Sequence, residues 1–319
     1  MKLLVRNCFA VILSAVGVAG HAEYPDKPIK IIVPFGVGGA TDALAREFGQ
    51  SLAAVTRQPV IIDNRPGADG AIGSQAAARS SPDGYTALIG SNSTQVLNGL
   101  INKTLSYDAA KDFAPICMLG KTSSVMFIRS TLPYKTLPEM IAAAKAAPGK
   151  FTFGYVSTGT RVPGELLQQK ANIKLLGVPY KSTGTALMDI VGGQVDMVFF
   201  DRVSGGPMYE QGKIRALAVT GTHRLKSMPN IPTAAESGVS NYEMSPWFGI
   251  YLPIQTPAPV VAQFIEAVTK AAQAPAVQAG RERLDVEYQV VCGPALAKFQ
   301  AEEVERWSPV IRQANIKTE

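Results

Sequence analysis

The sequence predicts an α/β chain of two lobes joined by two crossings. Three observations predict it. Short apolar runs of strand character alternate with helical ones, the pattern that lays helices over a mainly parallel sheet. A second block of the same alternation begins near Thr122, and beyond residue 221 the chain returns to the first block. The stretch 29–48, IKIIVPFGVGGATDALAREF, reads as a strand, a glycine turn and a helix start. On this reading residues 23–121 and 222–319 build one lobe and residues 122–221 the other.

The elements follow in order. Ile29 to Val33 is a buried strand ended by Pro34, and Gly36, Gly38 and Gly39 make a bare turn. Thr41 is the expected helix cap, with Leu44, Phe48 and Leu52 on the apolar face. Strands are expected at 59–63, 85–89 and 113–119, with a small-residue helix at 71–79. In the second block the strands are 124–128, 151–156, 175–180, 194–200 and 214–220. The helices are 137–147, one that opens after Arg161 with Pro163 in its first turn, 186–191, and a short one at 207–211. A short helix ending at Gly238, a strand at 247–252 and helices at 260–272 and 296–311 complete the chain. Pro309 is expected to kink or shorten the last helix.

The first 22 residues read as a secretory leader. Lys2 and Arg6 precede an apolar run from Cys8 to Ala19, and Gly20-His21-Ala22 supplies small residues at the cleavage positions. The run is too short for a comfortable membrane span. Of 31 basic residues 29 then remain, against 25 acidic ones, a net charge of +4. No long basic cluster is present, which argues against nucleic-acid binding. Only Cys117, Cys292 and His223 remain of the thiol and imidazole ligands, so there is no Cys/His zinc set, and a Ser-His-Asp triad would have to use His223, which has no nucleophile-elbow motif to serve. Two cysteines leave a bridge and two buried thiols both open. The expectation carried forward is free thiols. No Gly-Lys-Ser/Thr or GxGxxG follows the first strand, so it is not a nucleotide loop. No metal or cofactor is expected.

Ligands in open α/β sheets sit at the carboxyl ends of strands, and two facing lobes make a cleft that closes about a hinge. The strand-end loops 35–42, 91–95, 157–161, 181–185 and 201–204 are rich in Gly, Ser, Thr and Asn. Such residues hold a carboxylate reversibly without chemistry. The candidates are Phe35, Gly36, Gly38, Gly39 and Thr41; Ser91 and Asn92; Ser157, Thr158, Thr160 and Arg161; Lys181; and Asp201. The glycines allow a ligand to approach the backbone closely. Arg161 stands next to a helix start, where a cation is unfavourable unless an anion joins it. A bond to Glu165 is its bland alternative. Asp42 reads as a helix-capping acid, Asp201-Arg202 as a loop ion pair and Trp247 as core.

Several runs resemble one family. Tyr24-Pro25-x-Lys27-Pro28-Ile29, Ile32-Val33-Pro34-Phe35 with Gly38-Gly39-x-x-Asp42, Asn64-Arg65-Pro66-Gly67-Ala68, Pro82-Asp83-Gly84-Tyr85, Val178-Pro179-Tyr180-Lys181 and Gly192-Gly193-Gln194-Val195-Asp196 look like the substrate-binding proteins of tripartite tricarboxylate transporters, the Bug family. The resemblance implies a type II periplasmic binding protein of Venus-flytrap fold. It implies a monomer without catalysis that binds a small organic carboxylate and delivers it to a membrane permease of large and small subunits. It also implies that the loops at Phe35 to Thr41 and Ser157 to Arg161 face each other across the ligand. A sensory receptor for a membrane kinase, or an exported hydrolase or lyase using Asp42, Lys181 or Asp201, is the alternative. The chain departs from the family pattern at Gly159-Thr160-Arg161-Val162-Pro163, where the usual histidine is absent. It departs also at Ser182, at Asp69, where glycine is common, and at Phe200-Asp201-Arg202. These changes bear on which ligand is held, not on the class.

Overall fold

The computed structural model describes residues 24–287 and 289–316; the leader at residues 1–22 lies outside them. The strands are β1 (Ile29–Val33), β2 (Val60–Asn64), β3 (Thr86–Ser91), β4 (Phe113–Lys121), β5 (Ser124–Arg129), β6 (Thr152–Tyr155), β7 (Leu176–Pro179), β8 (Met197–Asp201), β9 (Ile214–Val219) and β10 (Trp247–Pro253). The α-helices are α1 (Ala40–Thr56), α2 (Ala71–Ala78), α3 (Asn98–Ile101), α4 (Leu137–Ala146), α5 (Thr158–Ala171), α6 (Thr183–Gly192), α7 (Arg202–Glu210), α8 (Ala258–Ala272), α9 (Pro275–Leu284) and α10 (Pro294–Ala314).

Two five-stranded sheets form, in the orders β2-β1-β3-β10-β4 and β7-β6-β8-β5-β9. The sequence suggested parallel strands, but both sheets are mixed. β1 runs parallel to β2 and β3, while β10 is antiparallel to β3 and β4. Likewise β6 is parallel to β7 and β8, while β5 is antiparallel to β8 and β9. The two strands that arrive from the crossings, β5 and β10, are the ones that run against the rest. Both are buried on both faces, so their composition carries no sign of direction.

The first crossing, at Thr122 and Ser123, lies against the start of the second. Thr220 Oγ1 accepts from the Ser124 N–H at 2.9 Å and donates to Met244 O at 2.7 Å, and the Thr122 N–H reaches Pro246 O at 2.8 Å. Gly221 has no room for a side chain: a Cβ there would stand 2.0 Å from Ser123 Oγ. α10 then spans the joint. Glu303 accepts from the indoles of Trp247 and Trp307, at 3.1 and 3.0 Å, and Gln169 of α5 donates to Val310 O at 2.9 Å. Trp247 is therefore core, as expected.

Other local expectations need correction. α1 starts at Ala40 with Gly39 as its cap residue; Thr41 is buried inside the helix and caps nothing. α5 opens at Thr158, so Arg161 lies inside its first turn instead of before it. α7 is longer than residues 207–211 because Asp201 caps it, accepting from the Ser204 N–H at 2.9 Å. Asp201 and Arg202 are not an ion pair: Arg202 bonds Glu210 at 2.9 Å. Residues 233–238 form turns, not a helix. α10 runs through Pro309, the lost bond being offset by burial of Trp307 and Ile311 on either side. α9 and the π-helical turn Ser93–Leu97 were not read from the sequence.

Cys117 and Cys292 are joined, S–S 2.07 Å, against the expectation of free thiols. Residues 291–293 lie antiparallel beside β4: Met118 N–H donates to Val291 O and Gly293 N–H to Ile116 O, each at 2.8 Å. The two cysteines are thereby set directly opposite each other in the close, non-hydrogen-bonded position of such a pair. A 175-residue separation hides this from any spacing argument.

Candidate functional site

The site is built at the start of α5. β6 is a buried four-residue strand, and its chain turns into the helix at Ser157. Ser157 Oγ accepts from the Thr160 N–H at 3.3 Å, while Thr160 Oγ1 accepts from the Ser157 and Val156 N–H groups at 3.0 and 2.9 Å. This reciprocal cap satisfies donors that a helix start otherwise leaves open. Two further donors are met from the far side of the cleft, by residues of the first sheet's loops. The Thr158 N–H donates to Asp69 Oδ2 at 2.7 Å, and the Thr158 hydroxyl donates to the same oxygen. The Gly159 N–H donates to Ser93 Oγ at 3.1 Å. A Cβ at Gly159 would lie 2.4 Å from that Oγ, so this glycine is what lets the two sides touch.

Beside this contact lies a cavity of about 370 Å³. Asp69, Asn98, Ile101, Asn102 and Leu105 line it from the first sheet's side. Tyr155, Ser157, Thr158, Arg161, Pro179 and Tyr180 line it from the second, and Ile316, just past α10, closes one edge. Arg161 is the one guanidinium in this lining. Its Nε bonds Glu165 Oε1 at 3.1 Å, and its guanidinium lies over the Tyr155 ring, 5.0 Å from the centroid. The bland reading of Arg161 thus holds for one of its nitrogens, and the group still faces the cavity.

Burial pushes the Asp69 carboxyl up to about 6, against the pull of the two Thr158 hydrogen bonds. Asp69 also sits in left-handed backbone, φ 53° and ψ 39°, a conformation Asp tolerates better than most residues. Its carbonyl oxygen accepts from Asn98 Nδ2 at 2.7 Å.

Of the sequence candidates, Ser157, Thr158 and Arg161 line the cavity, with Thr160 just behind them in the cap. Asn92 lies beside Gly159, its Oδ1 3.7 Å from the place of a Cβ there, and Ser91 is buried next to it. Phe35 packs near Gly70, one residue from Asp69. Gly36, Gly38, Gly39 and Thr41 are outside the lining. Space around the three glycines is open, and Gly38, at φ +94°, is the one whose backbone requires glycine. Lys181 is exposed next to Tyr180, and Asp201 is held as the α7 cap, its carboxyl raised by burial. Asp42, expected to cap α1, instead accepts from the Gly38 N–H at 3.1 Å, before the helix begins, and from Asn64 and Arg46.

The residues that sequence reasoning passed over are Asn98, Tyr155 and Tyr180; Ser93 entered it only within the candidate loop 91–95, and Asp69 only as an oddity of pattern. The available signal was an Asp between Gly67 and Gly70 in a turn. Its partner is 89 residues away. Among the described residues no group of three or more His, Cys, Asp or Glu side chains could hold a metal, and no helix is long and apolar enough to cross a membrane.

Comparison with known proteins agrees with this geometry. The family model described as the tripartite tricarboxylate transporter family receptor matches residues 44–316. Protein BugT of Bordetella pertussis is 31% identical over 313 residues, covering 96% of each chain. The Rhodopseudomonas palustris protein Rpa4515, solved with adipate, superposes with a TM-score of 0.87 at 28% identity, over 92% of this chain and 99% of that one. MatC of the same organism, solved with bound malate, gives 0.82 at 29% identity, over 90% and 100%. The chain belongs to the tripartite tricarboxylate transporter receptor family, whose two-lobed members are solute-binding receptors and not enzymes.

Proposed function

We propose that this chain is an exported receptor that captures a small carboxylate between its two lobes and passes it to a permease of large and small subunits. The observation that carries the reading is the cavity beside the α5 start. It joins a guanidinium, hydroxyls and aromatic rings in a volume typical of small-molecule sites. Adipate and malate in the two Rhodopseudomonas relatives support a carboxylate as the ligand class. The leader pattern at residues 1–22 and the Cys117–Cys292 bridge support an oxidising compartment outside the cytoplasm. The lobes divide at the crossings, residues 23–121 with 222–319 against 122–221, and the protein acts as a monomer. Phe35, the 36–41 turn, Ser91, Asn92, Lys181 and Asp201 belong to the proposal as the surroundings of the cleft; Ser157, Thr158, Thr160 and Arg161 form its centre.

The test is mass spectrometry of protein purified from its own periplasm, under native and then denaturing conditions. A small acid released on denaturation supports the reading. A thermal-shift panel of mono-, di-, tricarboxylic and aromatic acids follows. A ligand at 100 times its Kd adds about 2.7 kcal/mol, a shift of a few degrees. No shift with any acid counts against it.

A further inference from the structure

We propose that Asp69 is a built-in carboxylate that fills the anion seat at the start of α5, so that the cavity selects acids with one carboxylate and an apolar body over dicarboxylates. The inference rests on the carboxylate reading above.

A helix start draws anions because its first N–H groups lack partners. Here the chain itself occupies each of them. Thr158 N–H is taken by Asp69, Gly159 N–H by Ser93 and Thr160 N–H by Ser157. No backbone donor of that first turn is left for a ligand.

The charge that fills the seat is held firmly and stands alone. The Asp69 backbone is fixed between two positive-φ glycines, Gly67 and Gly70, and by Asn98. Among the described residues no cation pairs with its carboxylate. Its second oxygen, Oδ1, is shielded from solvent and has no hydrogen-bond partner. A ligand carboxylate brought to this end of the cavity meets like charge in a poorly solvated place, which is costly. A donor or an apolar end does not.

The cavity holds one partner for a single ligand carboxylate. Arg161 offers its two Nη groups, since only Nε is engaged by Glu165 among the described residues. A guanidinium fork suits one carboxylate. The same lining offers Ile101, Leu105, Pro179, Tyr180 and Ile316, surface for a short aliphatic or aromatic body.

The experiment is calorimetric titration of the mature chain at pH 7.5, above the Asp69 value of about 6, with two matched pairs: hexanoate against adipate, and benzoate against terephthalate. Wild type, Asp69→Asn and Asp69→Gly are compared. Asn and Gly both accept the left-handed backbone, and a melting curve of each variant checks that it is folded. In wild type at least one monoacid is expected to bind ten times or more tighter than its dicarboxylate. In the variants that preference falls at least tenfold, most in Asp69→Gly, where the seat is emptied. Equal affinities within both pairs for wild type overturn the inference, and so does a preference that persists in both variants. If none of the four acids binds any of the three proteins, this inference is overturned, while the carboxylate reading is decided separately by the wider acid panel above.

Discussion

Two helix starts in this molecule hold an acid in opposite ways. Both α1 and α5 follow a strand, and both have an acid beside their first residues. At α1 the acid is local. Asp42, in the first turn of its own helix, accepts from the Gly38 N–H just before that helix and from Asn64 Nδ2, at 3.1 and 2.9 Å, and pairs with Arg46 at 2.9 Å. Burial alone would raise its carboxyl, but Arg46, Asn64 and the Gly38 N–H outweigh burial and hold it below the ordinary value. At α5 the acid comes from across the cleft. Asp69 has Thr158 and no cation, and its carboxyl is raised. The first arrangement secures one lobe. The second joins two lobes and leaves a charge facing the cavity. An acid that serves stability brings its countercharge with it, whereas an acid poised to discriminate among ligands is left without one.

The largest expected effect separates the two ends by binding. Arg161→Ala should weaken carboxylate binding by roughly 2–4 kcal/mol if the arginine grips the ligand in the cavity. Calorimetry with the acid found by mass spectrometry checks it, and wild-type affinity would remove Arg161 from the site. Asp42→Ala should cost about 2 kcal/mol of stability by removing the charge-assisted hydrogen bonds that its buried carboxylate accepts from Gly38, Asn64 and Arg46, whereas Asp69→Asn, which keeps its shape and an acceptor, should cost much less. Urea unfolding of the two variants measures the contrast; equal losses would erase it.

Gly159→Ala probes the contact between the sides. With Ser93 Oγ 2.4 Å from the new Cβ, overpacking of about 1–3 kcal/mol is expected, relieved by opening the cleft. Small-angle scattering should then show a more extended particle, and the double change with Ser93→Gly should restore compactness. An unaltered scattering profile in Gly159→Ala would mean that the two sides are not held here.

The smallest effect is the dependence on pH, and its sign differs between the two acids. Asp69 titrates near 6 when folded, against an ordinary 3.8. The folded state therefore holds its proton more tightly, and its contribution to stability is full below 3.8 and lost as pH rises through 6. Asp42 is shifted the other way, so its contribution is present above 3.8 and lost as pH falls through its lowered value. Between pH 8 and 5 wild type should gain melting temperature relative to Asp69→Asn, while Asp42→Ala should track wild type over that range. A wild-type advantage that stays flat with pH would contradict the raised value.

Much of this could be read from residue order because local rules decide it. The glycine turn after Val33 depends on residues within a turn of one another; the Ser157 cap is equally local, yet the sequence reading opens that helix only after Arg161. Ser157, Thr158 and Arg161 were legible as candidates because they form a polar loop at a strand end, and they line the cavity. Tyr155 and Tyr180 were not, since an aromatic at a strand end looks the same whether it faces a core or a cavity. Asp69 was visible only as an acid in a turn, because nothing nearby in the chain announces Thr158.

By itself the sequence determined the α/β alternation and the return to the first block, since hydrophobic periodicity acts over a few residues. The tertiary structure alone decided the direction of β5 and β10, the pairing of Cys117 with Cys292, and the meeting of Asp69 with Thr158. Each of these joins segments far apart in the chain. An apolar pattern says which face is buried but not against what, so the partner is chosen only when the whole chain packs.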